Sequence, residues 1–179
     1  MSPEPSTDLI AEGEAKLSAG DLDGALVVLQ RAVAAAPTSA LAHSKLGVIY
    51  VRKQQWDSAA SEFSKAIQLD PTYAPAYSNL GNVYRERGQL DQAIAQYQKA
   101  ISMDADYWVA HQNLGIVYKQ QGRVGEAVRE FKTATRLSLR ARGSTYGESE
   151  GPGPARRAGC LGPAAILIVV GAIIAASGR

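Results

Sequence analysis

Two histidines and one cysteine have the widest capacity for metal, acid–base or nucleophilic chemistry in this chain. His43 and His111 lie 68 residues apart, at equivalent positions of a block that repeats along the sequence. Stacked copies of that block would hold the two imidazoles beyond the reach of one metal ion. The sequence has no Cys/His cluster with metal spacing and no phosphate-binding glycine loop. We therefore expect the histidines to serve in packing, and we predict no catalytic residue, no metal site and no cofactor.

Cys160 is the single cysteine, so the chain has no internal disulfide framework. It precedes an apolar segment, a position suited to reversible palmitoylation, although an inert thiol is the simpler interpretation. The start of the chain, MSPEPSTDLI, lacks the basic stretch and apolar core of a secretory signal peptide. These features favour a protein that stays in the reducing interior of the cell.

The elements that must position these side chains come from a 34-residue repeat. Residues 40–73, 74–107 and 108–141 align without insertions, and residues 6–39 are a weaker copy. Three columns of small residues run through all four copies: Gly13, Gly47, Gly81 and Gly115; Ala25, Ala59, Ala93 and Ala127; Ala32, Ala66, Ala100 and Ala134. A fixed period of this length is typical of stacked structural repeats.

The repeated block resembles the tetratricopeptide repeat family, which has the same period and a signature of Leu-Gly, Tyr, Ala, Phe and Pro at fixed offsets. In the third copy the matching residues are Leu80, Gly81, Tyr84, Ala93 and Tyr97. The resemblance covers about three quarters of the chain. It implies an all-α, right-handed superhelical solenoid of four helix-turn-helix repeats over residues 6–142, with a concave groove.

Each copy is predicted to form two amphipathic helices, the second running from about residue 90 to residue 103 in the third copy. Glycines suit the left-handed end of the first helix in three copies, at Gly20, Gly88 and Gly122. Gln54 takes this place in the second copy. Pro37 and Pro71 are expected to end the second helices of the first two copies.

Close packing is the expected reason for glycine inside a helix, where it costs about 1 kcal/mol relative to alanine. We expect Gly81 on one helix to face Ala93 on the next. Aromatic residues are expected to fill the space between successive hairpins: Tyr50, Tyr84, Tyr118, Phe63, Tyr97 and Phe131.

The two ends of the array are predicted to differ. The first copy has Glu12 and Lys16 where later copies have leucine and tyrosine, which suits a solvated end repeat. Their spacing also allows a weak surface ion pair. At the other end, Leu139 replaces the helix-ending proline, so the last helix is expected to run on toward Arg142 and its outer face needs cover.

The acid pair Asp104 and Asp106 flanks the turn before the fourth copy. Aspartate is a preferred helix-capping residue. We therefore expect this pair to cap the next hairpin.

In the family that this block resembles, the first helix of each repeat lines the concave surface. The resemblance therefore implies these groove residues: Lys45, Val48, Arg52, Ser78, Asn79, Asn82, Arg85, Glu86, Gln112, Asn113, Ile116, Lys119 and Gln120. Asn79 and Asn113 share one column, similar to the asparagine ladder of O-linked N-acetylglucosamine transferases, where amides hold an extended peptide. One carboxamide both donates and accepts, so it can satisfy a peptide unit whatever the side chain. Solvated groove lining is the alternative.

Residues 143–159 are rich in glycine, proline and serine, which predicts a flexible linker. Residues 160–178 carry no charge and are predicted to form a single C-terminal transmembrane helix. As a helix, the strongly apolar run 164–176 would span only ~20 Å of a ~30 Å hydrocarbon core. Two alternatives therefore stay open: a helix docked on the open end of the array, and a processed or disordered tail.

The charge of the chain changes sign along its length. Through Tyr118 there are 9 Lys and Arg against 13 Asp and Glu, and from Lys119 onward 10 against 4, a change from −4 to +6. Basic residues flanking a membrane segment stay on the cytoplasmic side, so we expect the repeats to face the cytoplasm. Nucleic-acid binding is the other interpretation, but no recognised module accompanies the basic run, so we expect no nucleic-acid partner.

These features predict a non-enzymatic, membrane-tethered adaptor that holds an extended peptide or a helix of a partner protein in its groove. Two other classes stay open: a regulatory subunit of an enzyme whose catalytic part is on another chain, and a nucleic-acid-associated protein that uses the basic region. Self-association through the uncapped last repeat or the anchor is a further expectation.

Overall fold

Eight α-helices make up the described part of the chain. The computed structural model describes residues 6–146, with side chains for residues 6–142. In chain order the helices are α1 (Ser6–Ser18), α2 (Leu22–Ala35), α3 (Ala40–Arg52), α4 (Trp56–Leu69), α5 (Ala74–Glu86), α6 (Leu90–Met103), α7 (Trp108–Gln120) and α8 (Val124–Tyr146). Consecutive helices pair into four hairpins. The predicted all-α repeat architecture is confirmed for these residues.

Each hairpin closes by packing a large side chain of its second helix onto a glycine of its first. A Cβ atom built on Gly81 would lie 2.7 Å from Cε1 of Tyr97, which is fully buried. The side chain nearest to Gly81 is therefore Tyr97, and Ala93, which was expected to face this glycine, lies in the same core cluster as the tyrosine. The contact recurs in the other hairpins, as Gly13–Leu29, Gly47–Phe63 and Gly115–Phe131.

A residue in the left-handed conformation joins the two helices of each hairpin. Gly20, Gly88 and Gly122 have φ angles of 82°, 74° and 74°. Gln54 adopts the same conformation in the second hairpin, with a φ of 58°. Glycine takes this conformation without steric cost, whereas a side chain is strained there. The predicted turn glycines are confirmed.

The hairpins stack because each second helix packs against the first helix of the next hairpin, α2 on α3, α4 on α5 and α6 on α7. The contact is apolar: Phe63 of α4 lies in one cluster with Leu80 and Val83 of α5. Tyr97 of α6 lies in the next cluster with Val117 of α7. Each internal repeat therefore buries both of its helices against a neighbour.

Polar links between successive repeats follow the same period. Asp23 accepts a hydrogen bond from Lys53 at 2.5 Å, and Asp91 accepts one from Gln121 at 2.9 Å. Asp57 and Arg87 make the equivalent link in the middle of the array. The hydrogen bond from Lys53 lowers the pKa of the Asp23 carboxyl. These exposed pairs add little stability individually, but they align neighbouring hairpins.

The two ends depart from the internal pattern. Nζ of Lys16 lies 3.5 Å from Oδ2 of Asp21, so the expected pairing of Lys16 with Glu12 is wrong: the turn before α2 brings another carboxylate to the lysine. At the other end α8 continues to Tyr146, beyond Arg142 and into the range predicted as linker.

The turn before α7 also differs from its prediction. Asp104 accepts a hydrogen bond from the backbone N–H of Asp106 at 3.0 Å, within the turn itself. The residue at the N-cap of α7 is Tyr107, which makes no side-chain capping bond. The predicted capping of this hairpin by the two aspartates is wrong because both lie before the N-cap position.

Gly81→Leu should destabilise the fold, because the new side chain must displace the buried Tyr97 ring. Overpacking of this kind costs about 1–3 kcal/mol. Gly125→Leu is the matched control, since a Cβ atom on this helical glycine meets nothing within 4 Å. Thermal unfolding followed by circular dichroism should show a lower midpoint for Gly81→Leu alone. Equal midpoints for the two variants would contradict the assigned packing.

Candidate functional site

The first helices of the repeats lie on the inner side of the array. Successive first helices contact one another, α1 with α3, α3 with α5 and α5 with α7. No two second helices do so within residues 6–146. Elements that are closer together line the inside of a curved stack, so α3, α5 and α7 supply the groove. This is the face on which the predicted partner-binding residues were placed.

Asn79 and Asn113 lie on the neighbouring first helices α5 and α7, and both are half-buried. The Asn113 amide donates to the hydroxyl of Ser78 over a long 3.4 Å, which leaves its carbonyl oxygen available. The Asn79 side chain has no hydrogen-bond partner among the described residues. Together the two amides offer both donors and acceptors to a ligand.

Asn82 has a structural role as well. Its carbonyl oxygen accepts a hydrogen bond from the hydroxyl of Tyr97 at 2.8 Å. Burial raises the pKa of Tyr97 to about 12, so the hydroxyl keeps its proton and remains a donor. The bond ties the groove side chain to the ring that packs on Gly81.

The predicted groove carries more positive than negative charge. Lys45 pairs with Glu14 of the preceding repeat, and Arg85 pairs with its neighbour Glu86 at 2.8 Å. Arg52 and Lys119 lie near the ends of α3 and α7 without a partner in the part of the chain that the structure describes. These two cations therefore suit carboxylates of a bound segment.

The remaining groove positions are mixed. Gln112 is exposed at the first turns of α7, and Val48 and Ile116 are half-buried apolar positions on α3 and α7. Gln120, which was also implied, is exposed at the end of α7. A surface with amides, cations and small apolar patches can hold a peptide backbone and accept several kinds of side chain. The prediction of a binding site rests on this composition.

The two histidines are structural. Nδ1 of His43 lies 2.7 Å from Glu62, and its Nε2 lies 3.1 Å from the backbone carbonyl of Pro37. Nδ1 of His111 lies likewise 2.7 Å from Glu130. In the third repeat Tyr77 donates to the carbonyl of Pro71, at 3.1 Å. Each of these side chains contacts a backbone carbonyl in the turn that precedes its own repeat. Histidine and tyrosine both serve in this role.

Metal chemistry receives no support from the described residues. Among residues 6–142 no three His, Cys, Asp or Glu side chains come together as a metal site. Cys160 lies outside the described range. His43 and His111 instead make hydrogen bonds to Glu62 and Glu130.

The outer face of α8 was anticipated from the sequence only as an uncovered face, without its residues. The exposed Val128 and Thr135 and the half-buried Phe131 form a stripe along α8 on the outside of the last repeat. The signal that could have located them is the 34-residue offset to Ile94, Tyr97 and Ile101, which the next repeat covers.

The predicted membrane anchor, residues 160–178, lies outside the described residues, as does most of the predicted linker. Across the helices of residues 6–146, none combines the length and the apolar character that a membrane span requires.

Solved structures share this architecture. A crystal structure of MamA is 31% identical with a TM-score of 0.67, over 79% of this chain and 83% of that one. A MamA from Desulfovibrio magneticus RS-1 is 25% identical with a TM-score of 0.64, over 75% and 76%. The pilF protein of Pseudomonas aeruginosa is 26% identical with a TM-score of 0.68, over 74% of this chain and 60% of its own. A search of curated proteins finds no match.

Family models agree with these structures. A model described as TPR repeat matches residues 13–54, 48–85 and 81–122. A second, described as tetratricopeptide repeat, matches residues 109–139. The matched residues make up more than half of the chain. The four hairpins, their period and these matches establish that the chain belongs to the tetratricopeptide repeat family.

Proposed function

We propose that this chain is a non-enzymatic adaptor that holds an extended peptide or a helix of a partner protein in the groove of its first helices. Its fold is that of a protein–protein interaction scaffold, and tetratricopeptide repeat proteins generally bind protein partners without catalysing a reaction. The observation that carries the proposal is the Asn79–Asn113 column, whose amides retain hydrogen-bonding capacity on the inner face.

The regular spacing of the repeats explains how the groove could bind an extended segment. Equivalent side chains recur on α5 and α7, so a segment that crosses both helices meets the same amide twice. Each amide can bind the backbone of the segment, and Arg52 and Lys119 can bind acidic side chains beside it. This arrangement favours an extended, acidic segment of the partner, because the backbone supplies affinity and the charges supply selectivity.

The groove proposal predicts the effect of a double substitution, Asn79→Ala with Asn113→Ala. Peptides that bind the full chain in detergent micelles would be selected from a phage-displayed library of random unstructured sequences. Each lost hydrogen bond is worth about 0.5–1.5 kcal/mol, so the double variant should bind the selected peptides ~5-fold or more weakly. Isothermal titration calorimetry measures the affinities, and circular dichroism checks that the helical content is unchanged.

The matched control for this experiment lies on the second helices, where Gln68→Ala with Gln92→Ala removes two exposed amides. This control should bind the selected peptides like the natural chain. If it weakens binding as much as the asparagine variant does, or if the asparagine variant binds normally, peptides do not occupy the groove.

We further propose that residues 160–178 attach the adaptor to a membrane, with the repeats on the cytoplasmic side. Support comes from the sequence: the segment is uncharged, and Arg156 and Arg157 precede it. A solitary run of Ile, Val and Ala in water would be an aggregation hazard, which insertion into a bilayer removes.

Carbonate extraction tests this attachment. The full chain should stay with the membrane fraction, whereas a chain stopped after Gly159 should be released as a folded, soluble protein. Protease added to sealed, right-side-out vesicles should leave the repeats intact. Release of the full chain by carbonate, or digestion of the repeats from outside, would refute attachment or orientation, respectively.

A further inference from the structure

The outer face of α8 carries an apolar groove that the rest of the described chain leaves uncovered. The groove has a volume of about 610 Å³ and is lined by Val128, Phe131, Lys132, Thr135, Arg136 and Leu139. Val128 is 44% exposed and Leu139 is 62% exposed. Apolar side chains form its floor, and two cations stand at its edge.

In every earlier second helix, the positions equivalent to Val128, Phe131 and Thr135 are buried or half-buried. Ile94 stands 34 residues before Val128 and is only 8% exposed, because α7 packs over it. Tyr97 stands 34 residues before Phe131 and is fully buried. The stripe on α8 is therefore a packing surface for one more helix, and within residues 6–146 no helix follows.

The chain itself supplies a segment of matching chemistry and length. Residues 164–176, AAILIVVGAIIAA, are apolar and uncharged. As a helix they would be ~20 Å long, and the groove from Val128 to Leu139 is ~18 Å long at the same rise per residue. The small residues of the segment, Ala and Gly, allow close approach to α8.

The intervening chain sets the direction of this segment. Seventeen residues, 147–163, join the end of α8 to the segment. This stretch is rich in glycine and proline, and a flexible coil of that length has a typical end-to-end distance of ~23 Å. An antiparallel return starts near Leu139, ~10 Å along the axis from Tyr146, whereas a parallel one starts near Val128, ~27 Å away. The end of a flexible chain is found at a given point less often as that point lies farther away, so the shorter antiparallel span is favoured.

A second copy offers a poorer occupant. Its α1 is the helix that would continue the stack, but Glu12 stands in the column of the buried Leu46, and Asp8 stands in that of the buried Ala42. Placing Glu12 against Val128 would bury a carboxylate in an apolar contact, which is costly. The segment 164–176 has no such cost.

We propose that residues 164–176 lie antiparallel along the α8 groove while the chain is away from a membrane, and leave the groove when the segment enters a bilayer. In the first state the segment covers the groove, and the face of the segment that packs on α8 is removed from water. In the second the bilayer covers the segment and the α8 stripe becomes free. The proposal depends on membrane attachment only for the second state, and it is independent of peptide binding by the first helices.

Crosslinking of the full chain without detergent tests the first state. In a Cys160→Ser background, the pair Val124→Cys with Ala176→Cys joins the ends that antiparallel docking brings together. The pair Arg140→Cys with Ala176→Cys is the control that docking holds apart, and both α8 positions are exposed. A short bismaleimide should crosslink the first pair about tenfold faster than the second, because docking raises the effective concentration of one partner. Adding Val128→Glu to the first pair should bring its rate down to that of the control.

Several results would overturn the proposal. Equal rates for the two pairs, or no response to Val128→Glu, would show that the segment does not occupy the groove. A crosslinked product of dimer mass would place the segment on another copy. A full chain that stays dispersed only in detergent would show that the segment and the groove are not covered.

Vesicles of phosphatidylcholine and phosphatidylglycerol test the second state. Crosslinking of the first pair should disappear from vesicle-bound protein, and its persistence there would refute the exchange. If the chain crosslinks as expected but never binds vesicles, membrane attachment fails while the docked state stands. The two proposals are thus separately testable.

Discussion

The contact between a glycine on the first helix and a large side chain on the second sets the geometry of this protein. A Cβ atom at Gly47, Gly81 or Gly115 would come within 2.8 Å of the ring packed on it. The ring therefore fixes how closely the two helices of a hairpin approach. Tyr97 also shares a cluster with α7, so the same ring that closes one hairpin forms the surface on which the next one packs. The spacing of first helices, and hence of the groove side chains, follows from this contact.

Each end of the array has one face that no neighbouring repeat covers. In the first repeat this face is polar: the exposed Glu12 stands where later repeats have a buried leucine, and the face is solvated. The last repeat keeps the apolar stripe of an internal repeat on α8. In the column of Asp23, Asp57 and Asp91 it carries Gly125, so the polar link to a following repeat is also missing. An apolar face without its polar link fits a covering segment better than another repeat.

Much of this could be predicted from sequence because the period reports which residues are equivalent. Equivalence placed Asn79 and Asn113 on one face and the turn glycines at one position. It does not report which side chain of the second helix comes nearest to a glycine of the first, so the contact of Tyr97 with Gly81 was not predicted. Pairings across a turn failed for the same reason, as Lys16 with Asp21 shows. The length of α8 depends on where a helix frays, and no proline or glycine marks that point before Gly143.

The central claim is that a partner segment lies on the inner face of the first helices. The chain has only three asparagines, Asn79, Asn82 and Asn113, and all three lie on α5 or α7 in the predicted groove. Selective ¹⁵N labelling of asparagine therefore gives three side-chain amide signals that report on this surface alone. Titration with a selected peptide should shift the signals of Asn79 and Asn113 in proportion to the bound fraction. If a saturating peptide leaves all three signals in place, the segment binds elsewhere and the account is wrong.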